Sequence, residues 1–540
     1  MNSHPSVLRD FTVDRRVWLL SAAAVVIGSG AAVLAVLLLK CIALATNIFY
    51  YHRVSFANVS PAGSTLGILM PLVPVAGGLI VGVMARYGSE KIRGHGIPEA
   101  IEAILLRGAR VEPSVALLKP ISAAISIGSG GPFGAEGPII MTGGAFGSLI
   151  AQWIRLTDAE RTTLLVAGAA AGMSATFASP LAAILLATEL LLFEWRPRSL
   201  APVAFASITA EILRVRWLGA GPLFPVPEMG AMLSAKIALG AVLTGLLIGV
   251  AAAGLSRMMY GFEDLFAKLP VHWMWWPAIG GIGIGIGGIF FPRGLGVGYD
   301  NIGELLGGNA PLALLAGLLI GKSLMWAFSL GSGTSGGVLA PLLMIGGAAG
   351  EMLAHLAGAS MEMQALWAMV GMSAMLAGSL GVPLTAIVFT LEITHSIGAM
   401  APVMMSCIGA YLVTSLILPR SILTEKISRR GFHLTREYGV DPLEMVSVNE
   451  VMSEVPACDP AARLPEYYAF GDETSRTAAE RMATTGLDEL VVVDRKTKKI
   501  CGKVTLRDLL AGRRRAIDRE NERVRVFSAH IPGERSAARR

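Results

Sequence analysis

One acidic residue inside a glycine run gives this chain its clearest chemical feature. Glu136 lies in Gly128-Ser-Gly-Gly-Pro-Phe-Gly-Ala-Glu-Gly-Pro138, and a similar run, Gly331-Ser-Gly-Thr-Ser-Gly-Gly-Val-Leu-Ala-Pro341, follows at an offset of 203 residues (128 to 331). At that offset an apolar residue, Leu339, stands where the first run has its glutamate. Because only one copy carries a group that can bind and release a proton, the asymmetry predicts a functional acid.

Three Gly-rich turns in the chain each lead into a helix through a proline in its first turn, where the missing N–H costs nothing. A helix N-terminus offers unpaired N–H groups and about half a positive charge, which suits an anion. None of the three turns contains Lys or Arg, so an anion would be bound by partial charges and could leave again. We therefore predict a conduction site for a small, weakly basic anion, built from these residues: Gly94, His95, Gly96, Ile97, Pro98; Gly134, Ala135, Glu136, Gly137; Gly337, Val338, Leu339.

Composition predicts that these turns lie in a membrane. The chain is 53% hydrophobic and 16% charged, with a mean hydropathy of +0.60, whereas a soluble protein carries about a quarter charged residues. Residues 17–39 form an uncharged run long enough to cross a bilayer, and it is too long for a signal-peptide core. Many other apolar runs are shorter and predict half-helices buried in protein. The expected fold class is an all-α polytopic membrane protein.

The repeat and the charge distribution predict the domain organisation. Repeat halves fall at about 17–217 and 231–420, and a duplicated membrane domain with broken segments indicates a transport site between its halves. Residues 421–540 hold 22 Lys/Arg and 19 Asp/Glu, so 41 of the 84 charges lie there. We predict these segments: N-terminal 1–16, membrane domain 17–420, linker 421–445, small domain 446–513 and a flexible basic tail 514–540. Basic residues near both ends predict cytoplasmic termini. Membrane topology also explains the net charge of +6, so we expect no nucleic acid partner.

The three ordered motifs, Gly94-x-Gly-Ile-Pro98, Gly134-x-Glu-Gly-Pro138 and Gly337-x-x-x-Pro341, resemble the signature of the CLC chloride channel and transporter family. The resemblance implies an inverted-repeat fold of tilted and re-entrant helices, a homodimer with one pore in each subunit, and a multi-pass location in the cell membrane. Glu136 resembles the family's gating glutamate, which also relays the proton in exchangers. Backbone N–H groups of Ala135, Glu136, Val338 and Leu339 would then contact the anion. The expected function is chloride/proton antiport, with no enzymatic activity and no metal.

Three departures from the family pattern leave alternatives open. His95 stands where the family usually has serine, Leu423 where it has a tyrosine, and Leu190 where many proton exchangers carry an inner glutamate. A passive voltage- or pH-gated chloride channel is therefore an alternative, as is transport of nitrate or fluoride. A cation-coupled solute transporter is an alternative from another class. The repeat-equivalent acids Glu189 and Glu392 are interpreted as structural.

The C-terminal region has its own resemblance. Val446-Ser-Val-Asn-Glu-Val-Met452 and the later Gly502-Lys-Val-Thr-Leu-Arg-Asp508 resemble the start and end of a CBS domain, with a helix at 476–485 and a strand at 489–494 between them. In such domains the positions of Thr505 and Asp508 contact the ribose of an adenine nucleotide. A structural dimer clamp without ligand is the alternative, and no other cofactor is expected.

Overall fold

A computed structural model describes residues 15–192, 194–227, 230, 234–431, 441–444, 446–454 and 465–527. The chain divides into two compact units, Met1–Leu434 and Thr435–Arg540. Nearly all of the predicted N-terminal segment 1–16, part of the linker and the end of the tail lie outside the described residues.

The first half of the membrane unit consists of helices joined by short turns. A π-helical segment, Ala187–Leu192, continues the seventh helix. The α-helices are α1 Arg16–Tyr51, α2 Leu72–Tyr87, α3 Ile97–Leu106, α4 Pro113–Gly128, α5 Glu136–Trp153, α6 Asp158–Phe177, α7 Pro180–Leu186 and α8 Pro197–Leu218. Short 3-10 segments cover Pro61–Gly63, Gly67–Leu69 and Glu90–Ile92.

The second half repeats this order and ends in a short helix. A π-helical segment, Gly317–Lys322, joins its fourth and fifth helices. The α-helices are α9 Ala235–Ala267, α10 Trp276–Phe290, α11 Tyr299–Leu306, α12 Leu312–Ala316, α13 Ser323–Gly331, α14 Leu339–Leu356, α15 Met361–Leu380, α16 Pro383–Thr394, α17 Met400–Ile417 and α18 Ile422–Arg429. Short 3-10 segments cover Trp273–Trp275, Pro292–Gly294 and Ile397–Ala399.

The two halves are related by an approximate two-fold axis. Helices α5, α6 and α7 begin at residues 136, 158 and 180, and α14, α15 and α16 begin 203 positions later at 339, 361 and 383. Contacts between the halves are reciprocal, as a two-fold axis requires. A side chain at Gly78 would meet the carbonyl of Pro277, and one at the equivalent Gly281 would meet that of Pro74.

Hydropathy and burial place this unit in a membrane. In the described part of the chain, eight helices are long and apolar enough to cross a bilayer. Helices α6 and α15 are buried along most of their length, and they are rich in Ala and Gly, which allow close helix packing. The hydroxyls of Thr176 in α6 and Ser373 in α15 donate to carbonyls four residues back, which gives these buried polar groups partners within their own helices.

The C-terminal unit is a small α/β domain. Its strands are β1 Ser453–Glu454, β2 Tyr468–Phe470, β3 Glu489–Val493 and β4 Ile500–Thr505, in the order β1-β4-β3-β2. Strands β2 and β3 are parallel, and the other pairs are antiparallel. The helices are α19 Val448–Val451, α20 Ser475–Thr485 and α21 Leu506–Phe527, with a 3-10 turn at Pro442–Glu444. The predicted helix 476–485 and strand 489–494 agree with α20 and β3 to within one residue.

Two predicted boundaries differ from the structure. The first part of the predicted linker 421–445 is α18, which packs into the membrane unit: Leu423 is buried, and the Tyr260 hydroxyl donates to the Ile422 carbonyl at 2.6 Å. Charge counting misplaced this boundary because the charged residues of α18 line an open cavity. The predicted flexible tail also begins as helix, since α21 continues to Phe527 and Arg514 pairs with Asp518 one turn later.

Candidate functional site

The three Gly-rich turns meet where the two halves join. Gly134 and Gly337, which are equivalent in the repeat, form an antiparallel bridge: the Gly134 N–H donates to Gly337 at 3.3 Å, and the Gly337 N–H donates to Gly134 at 2.8 Å. The N–H of Gly336 donates to the carbonyl of Gly94 at 3.4 Å, which brings in the third turn. Helices α3, α5 and α14 therefore all begin beside the approximate two-fold axis.

Glycine is required at this junction for two physical reasons. Gly94 and Gly96 have φ values of +79° and +90°, in the region that disfavours other residues. At Gly137 the limit is space, because a side chain would overlap the carbonyl of His95. These glycines let backbone approach backbone, so the N–H groups at the helix starts can face one small volume.

Two buried lysines hold backbone carbonyls in equivalent places of the repeat, Lys119 those before α3 and Lys322 those before α11. The Lys119 ammonium donates to the carbonyls of Ile92 and Gly94 at 2.8 and 2.7 Å. Its repeat equivalent Lys322 donates to the carbonyls of Gly294 and Gly296 at 2.9 and 2.8 Å. Because both ammonium groups donate hydrogen bonds to carbonyls, they hold the backbone in place. This structural role was not predicted, although the repeat offset that pairs the two lysines was a signal for it.

The Glu136 side chain lies at the N-terminus of α14, a helix of the other half. Its side chain is fully buried, and Oε1 accepts a hydrogen bond from the N–H of Ala340, in the first turn of α14, at 3.1 Å. Oε2 has no hydrogen-bond partner among the described residues. Three of the predicted residues are buried at the starts of α5 and α14: Ala135, Val338 and Leu339. Ala340, the donor that the structure assigns, was not predicted because it carries no distinctive side chain.

His95 is one of the residues that line a cavity of about 570 Å³. Its side chain is almost completely buried, yet neither ring nitrogen has a hydrogen-bond partner within the described structure. The neighbouring Glu99 accepts from the Gly96 N–H at 3.0 Å and from the Lys426 ammonium of α18 at 2.7 Å. His95 is therefore held by its backbone while its ring is left free to bind a ligand.

The remaining predicted pore residues are Ile97, Pro98 and Leu423. Ile97 and Pro98 are buried at the start of α3. Leu423 is buried on α18, which packs against α3, but it is not among the described residues that line the cavity. Tyr299, the first residue of α11, has a buried hydroxyl without a described partner and packs edge-on against Phe177, with ring centroids 6.4 Å apart.

Glu189 and Glu392 cap each other's halves. The Glu392 carboxylate accepts from the N–H groups of Leu181 and Ala182 at 2.9 and 2.8 Å, at the start of α7. Glu189 accepts from the N–H groups of the equivalent Leu384 and Thr385 at 3.2 and 2.8 Å, at the start of α16. An acid at a helix N-terminus is stabilising. This geometry supports the structural interpretation of both acids.

In the C-terminal unit, Thr505 and Asp508 bond to each other. Asp508 accepts from the Thr505 N–H at 2.9 Å and from its hydroxyl at 2.7 Å, while the Asp508 N–H donates to the threonine oxygen at 3.3 Å. This is a capping box at the start of α21. Nucleotide binding at these positions stays a prediction. In the same sheet, burial raises the pKa of the Cys501 thiol, which makes it less reactive.

Comparison with known proteins connects this site to one family. Residues 77–415 match the family model described as voltage gated chloride channel. A ClcB-like protein of Ralstonia nicotianae is 30% identical over 371 residues, covering 66% of this chain and 85% of that protein. The H(+)/Cl(-) exchange transporter ClcA of Citrobacter koseri is 30% identical over 382 residues, covering 67% and 78%.

A solved structure shares the fold. The crystal structure of a slow cyanobacterial Cl-/H+ antiporter superimposes with a TM-score of 0.67 at 24% identity, covering 78% of this chain and 99% of that one. This likeness confirms the membrane fold class that the resemblance implied.

Proposed function

Because this chain belongs to the CLC family of chloride channels and transporters, we propose that it exchanges chloride, or a similar small anion, for protons across a membrane. The observation that carries the proposal is the buried Glu136 carboxylate, which accepts from the first-turn N–H of α14. A carboxylate there occupies a helix N-terminus that is otherwise suited to an anion.

The exchange follows from competition for one set of donors. When ionised, Glu136 takes up the Ala340 N–H and supplies the negative charge at that helix end. When protonated, the side chain is neutral and a weaker acceptor, so an anion can displace it. The displaced side chain carries its proton away from the helix N-terminus. One proton-binding event therefore opens the site to an anion, which couples the two movements.

The proposed site would bind the anion weakly, because backbone N–H groups carry only partial charges. Gly134, Gly137 and Gly337 expose backbone at the junction, while the nearest buried ammonium groups are spent on carbonyls. An anion bound by N–H groups alone is bound loosely enough to move on.

We also propose the assembly and location that the resemblance implies: a homodimer in the cell membrane with both termini in the cytoplasm. The turns, Glu136 and the cavity all come from one chain, which supports a separate pathway in each subunit. Chemical crosslinking in intact cells tests the dimer, and protease access to tags at each end tests the orientation.

For the C-terminal unit, we propose a CBS-type domain. The parallel β2–β3 pair joined through α20, with β4 antiparallel to β3, supports this assignment. An adenine nucleotide at Thr505 and Asp508 would have to compete with their capping box. Titrating the full-length protein with ATP distinguishes a nucleotide site from a structural clamp.

A flux experiment tests the antiport. Purified protein in chloride-loaded liposomes is monitored for chloride efflux and external pH together, with the voltage set by valinomycin and potassium. We expect the chloride gradient to drive protons uphill in the wild type, and Glu136→Gln to pass chloride without protons. The exposed Glu362, in the first turn of α15, provides a matched Glu→Gln control with normal coupling.

Two results contradict the proposal. Chloride movement without protons in the wild type makes the protein a passive channel. Unchanged proton movement in Glu136→Gln means that another group carries the proton. An absence of chloride flux redirects the assay to fluoride and nitrate.

A further inference from the structure

We propose that His95 is the inner proton-binding group of this protein and that it takes up a proton when an anion occupies the turn at 94–98. The inference rests on the proposed anion transport and deepens it. It starts from the free ring: His95 is 3% exposed, and neither Nδ1 nor Nε2 has a hydrogen-bond partner among the described residues. Buried polar groups normally have partners, so two free nitrogens indicate a ligand.

The charges around the ring explain why protonation would need the anion. Glu99 is the neighbouring acid, but its carboxylate is already shared by the Gly96 N–H and the Lys426 ammonium. Lys119, whose ammonium bonds the Gly94 carbonyl, is a second cation beside the ring. Burial of the ring disfavours an imidazolium in the empty site; Glu99 opposes this effect, and the two cations add to it. An anion at the turn supplies the missing negative charge.

The step itself is a simple proton uptake. A hydronium ion or a buffer acid gives up its proton through the water of the cavity, its O–H or N–H bond breaks, and an N–H bond forms at the lone pair of the unprotonated ring nitrogen. The ring gains one positive charge beside the anion, and water or the buffer base remains in solution. The ring then has donors at both nitrogens and no lone pair facing the anion. By linkage, the proton strengthens anion binding by the same factor by which the anion strengthens proton binding.

Access and position support His95. The cavity that His95 lines is also lined by the exposed residues Arg110 and Glu112, so the cavity extends from His95 to the surface. Glu189 is occupied as a cap, and the next residue, Leu190, is apolar and buried. Glu351 also has an unpartnered carboxylate oxygen, but it accepts from the Ala310 N–H and does not line this cavity. Within the described structure, His95 is the buried acceptor of this cavity that lacks a hydrogen-bond partner.

The test measures protons and chloride in one experiment. Full-length protein with Glu136→Gln, which removes the other proton-binding group, is titrated with chloride by calorimetry in two buffers of different ionisation enthalpy. The difference between buffers gives the protons taken up for each chloride bound. We expect uptake between pH 5 and 7, approaching one proton, and a chloride Kd that rises by up to about tenfold per pH unit, the limit for one linked proton.

Adding His95→Asn to this background removes the titratable ring and should abolish both the uptake and the pH dependence. His395→Asn is the matched control, because His395 is exposed and asparagine tolerates its φ of 54°. His95→Gln gives a second variant in case asparagine perturbs folding.

The outcomes are separable. Chloride binding without proton uptake in the Glu136→Gln protein overturns the inference, and so does equal uptake after His95→Asn or His95→Gln. Both results leave coupled transport in wild-type liposomes untouched. Conversely, wild-type liposomes without proton movement reject the antiport, whether or not His95 binds a proton with the anion.

Discussion

Removing either reciprocal cap should destabilise the protein without uncoupling transport. Glu392 accepts two backbone hydrogen bonds at the start of α7, from Leu181 and Ala182. Glu392→Gln keeps one acceptor oxygen but loses the charge. We expect a loss of about 1.5 kcal/mol in the free energy of unfolding, and about 3 kcal/mol for Glu392→Ala, which leaves both N–H groups without their carboxylate.

The equivalent change in the other half should cost slightly more. Glu189 accepts from the N–H groups of Leu384 and Thr385 and also from the Thr385 hydroxyl at 2.6 Å. We therefore expect about 2 kcal/mol for Glu189→Gln. Thr385→Val in the same background should add little, because the hydroxyl has already lost its charged partner.

Both quantities can be measured on the same preparations. Denaturant unfolding in detergent, followed by circular dichroism, gives the stability, and paired chloride and proton fluxes in liposomes give the coupling. Glu362→Gln, an exposed acid, is the control for a charge change with no cap. The reasoning is refuted if Glu189→Gln or Glu392→Gln has wild-type stability but moves fewer protons per chloride, since that result makes the acid a proton carrier.

Four further predictions concern other positions. Gly137→Ala should reduce chloride flux at least tenfold, because the new methyl group overlaps the His95 carbonyl, and normal flux would contradict the close approach. Lys119→Met should leave two carbonyls without a donor and cost about 3 kcal/mol in denaturant unfolding, whereas an unchanged stability would remove its structural role. Thr505→Val should speed amide exchange in the first turn of α21 about fivefold, for a lost cap of about 1 kcal/mol, and unchanged exchange would reject the capping box. Since burial raises the pKa of Cys501, its thiolate fraction at pH 8 is small. Peptide-resolved alkylation should therefore still accelerate above pH 9, and a plateau below that pH would contradict it.

The repeat made the membrane fold unusually predictable. An identical offset links the starts of α5, α6 and α7 to those of α14, α15 and α16, because each start is set locally. Glycine and proline set the starts of α5, α7, α14 and α16, and the hydroxyl caps Thr157 and Ser360 set those of α6 and α15. Glycine and proline also predicted the three turns that meet at the junction. In the C-terminal unit, β3 was predictable from a short apolar run, and α20 from its Thr474 N-cap and Gly486 C-cap.

Boundaries and polar partners were less predictable. The charges of α18 resembled those of a soluble linker, although Lys426 reaches Glu99 across 327 residues of sequence. No role was predicted for Lys119 or Lys322, yet both are fully buried. The hydrogen-bond partners of Lys426, Lys119 and Lys322 lie outside their local sequence, so no local pattern could reveal them.

The sequence by itself determined the membrane class, the duplication, the three helix starts and the single acid that distinguishes one half from the other. Hydropathy, glycine freedom and proline restraint act over a few residues, so they can be recognised along the chain. Only the tertiary structure decided that Glu136 accepts from the Ala340 N–H and that Glu189 and Glu392 cap opposite halves. It also decided that the His95 ring is buried with no partner among the residues that the structure describes. Those facts depend on packing between segments about 200 residues apart, because a buried polar group bonds to whatever the fold brings beside it.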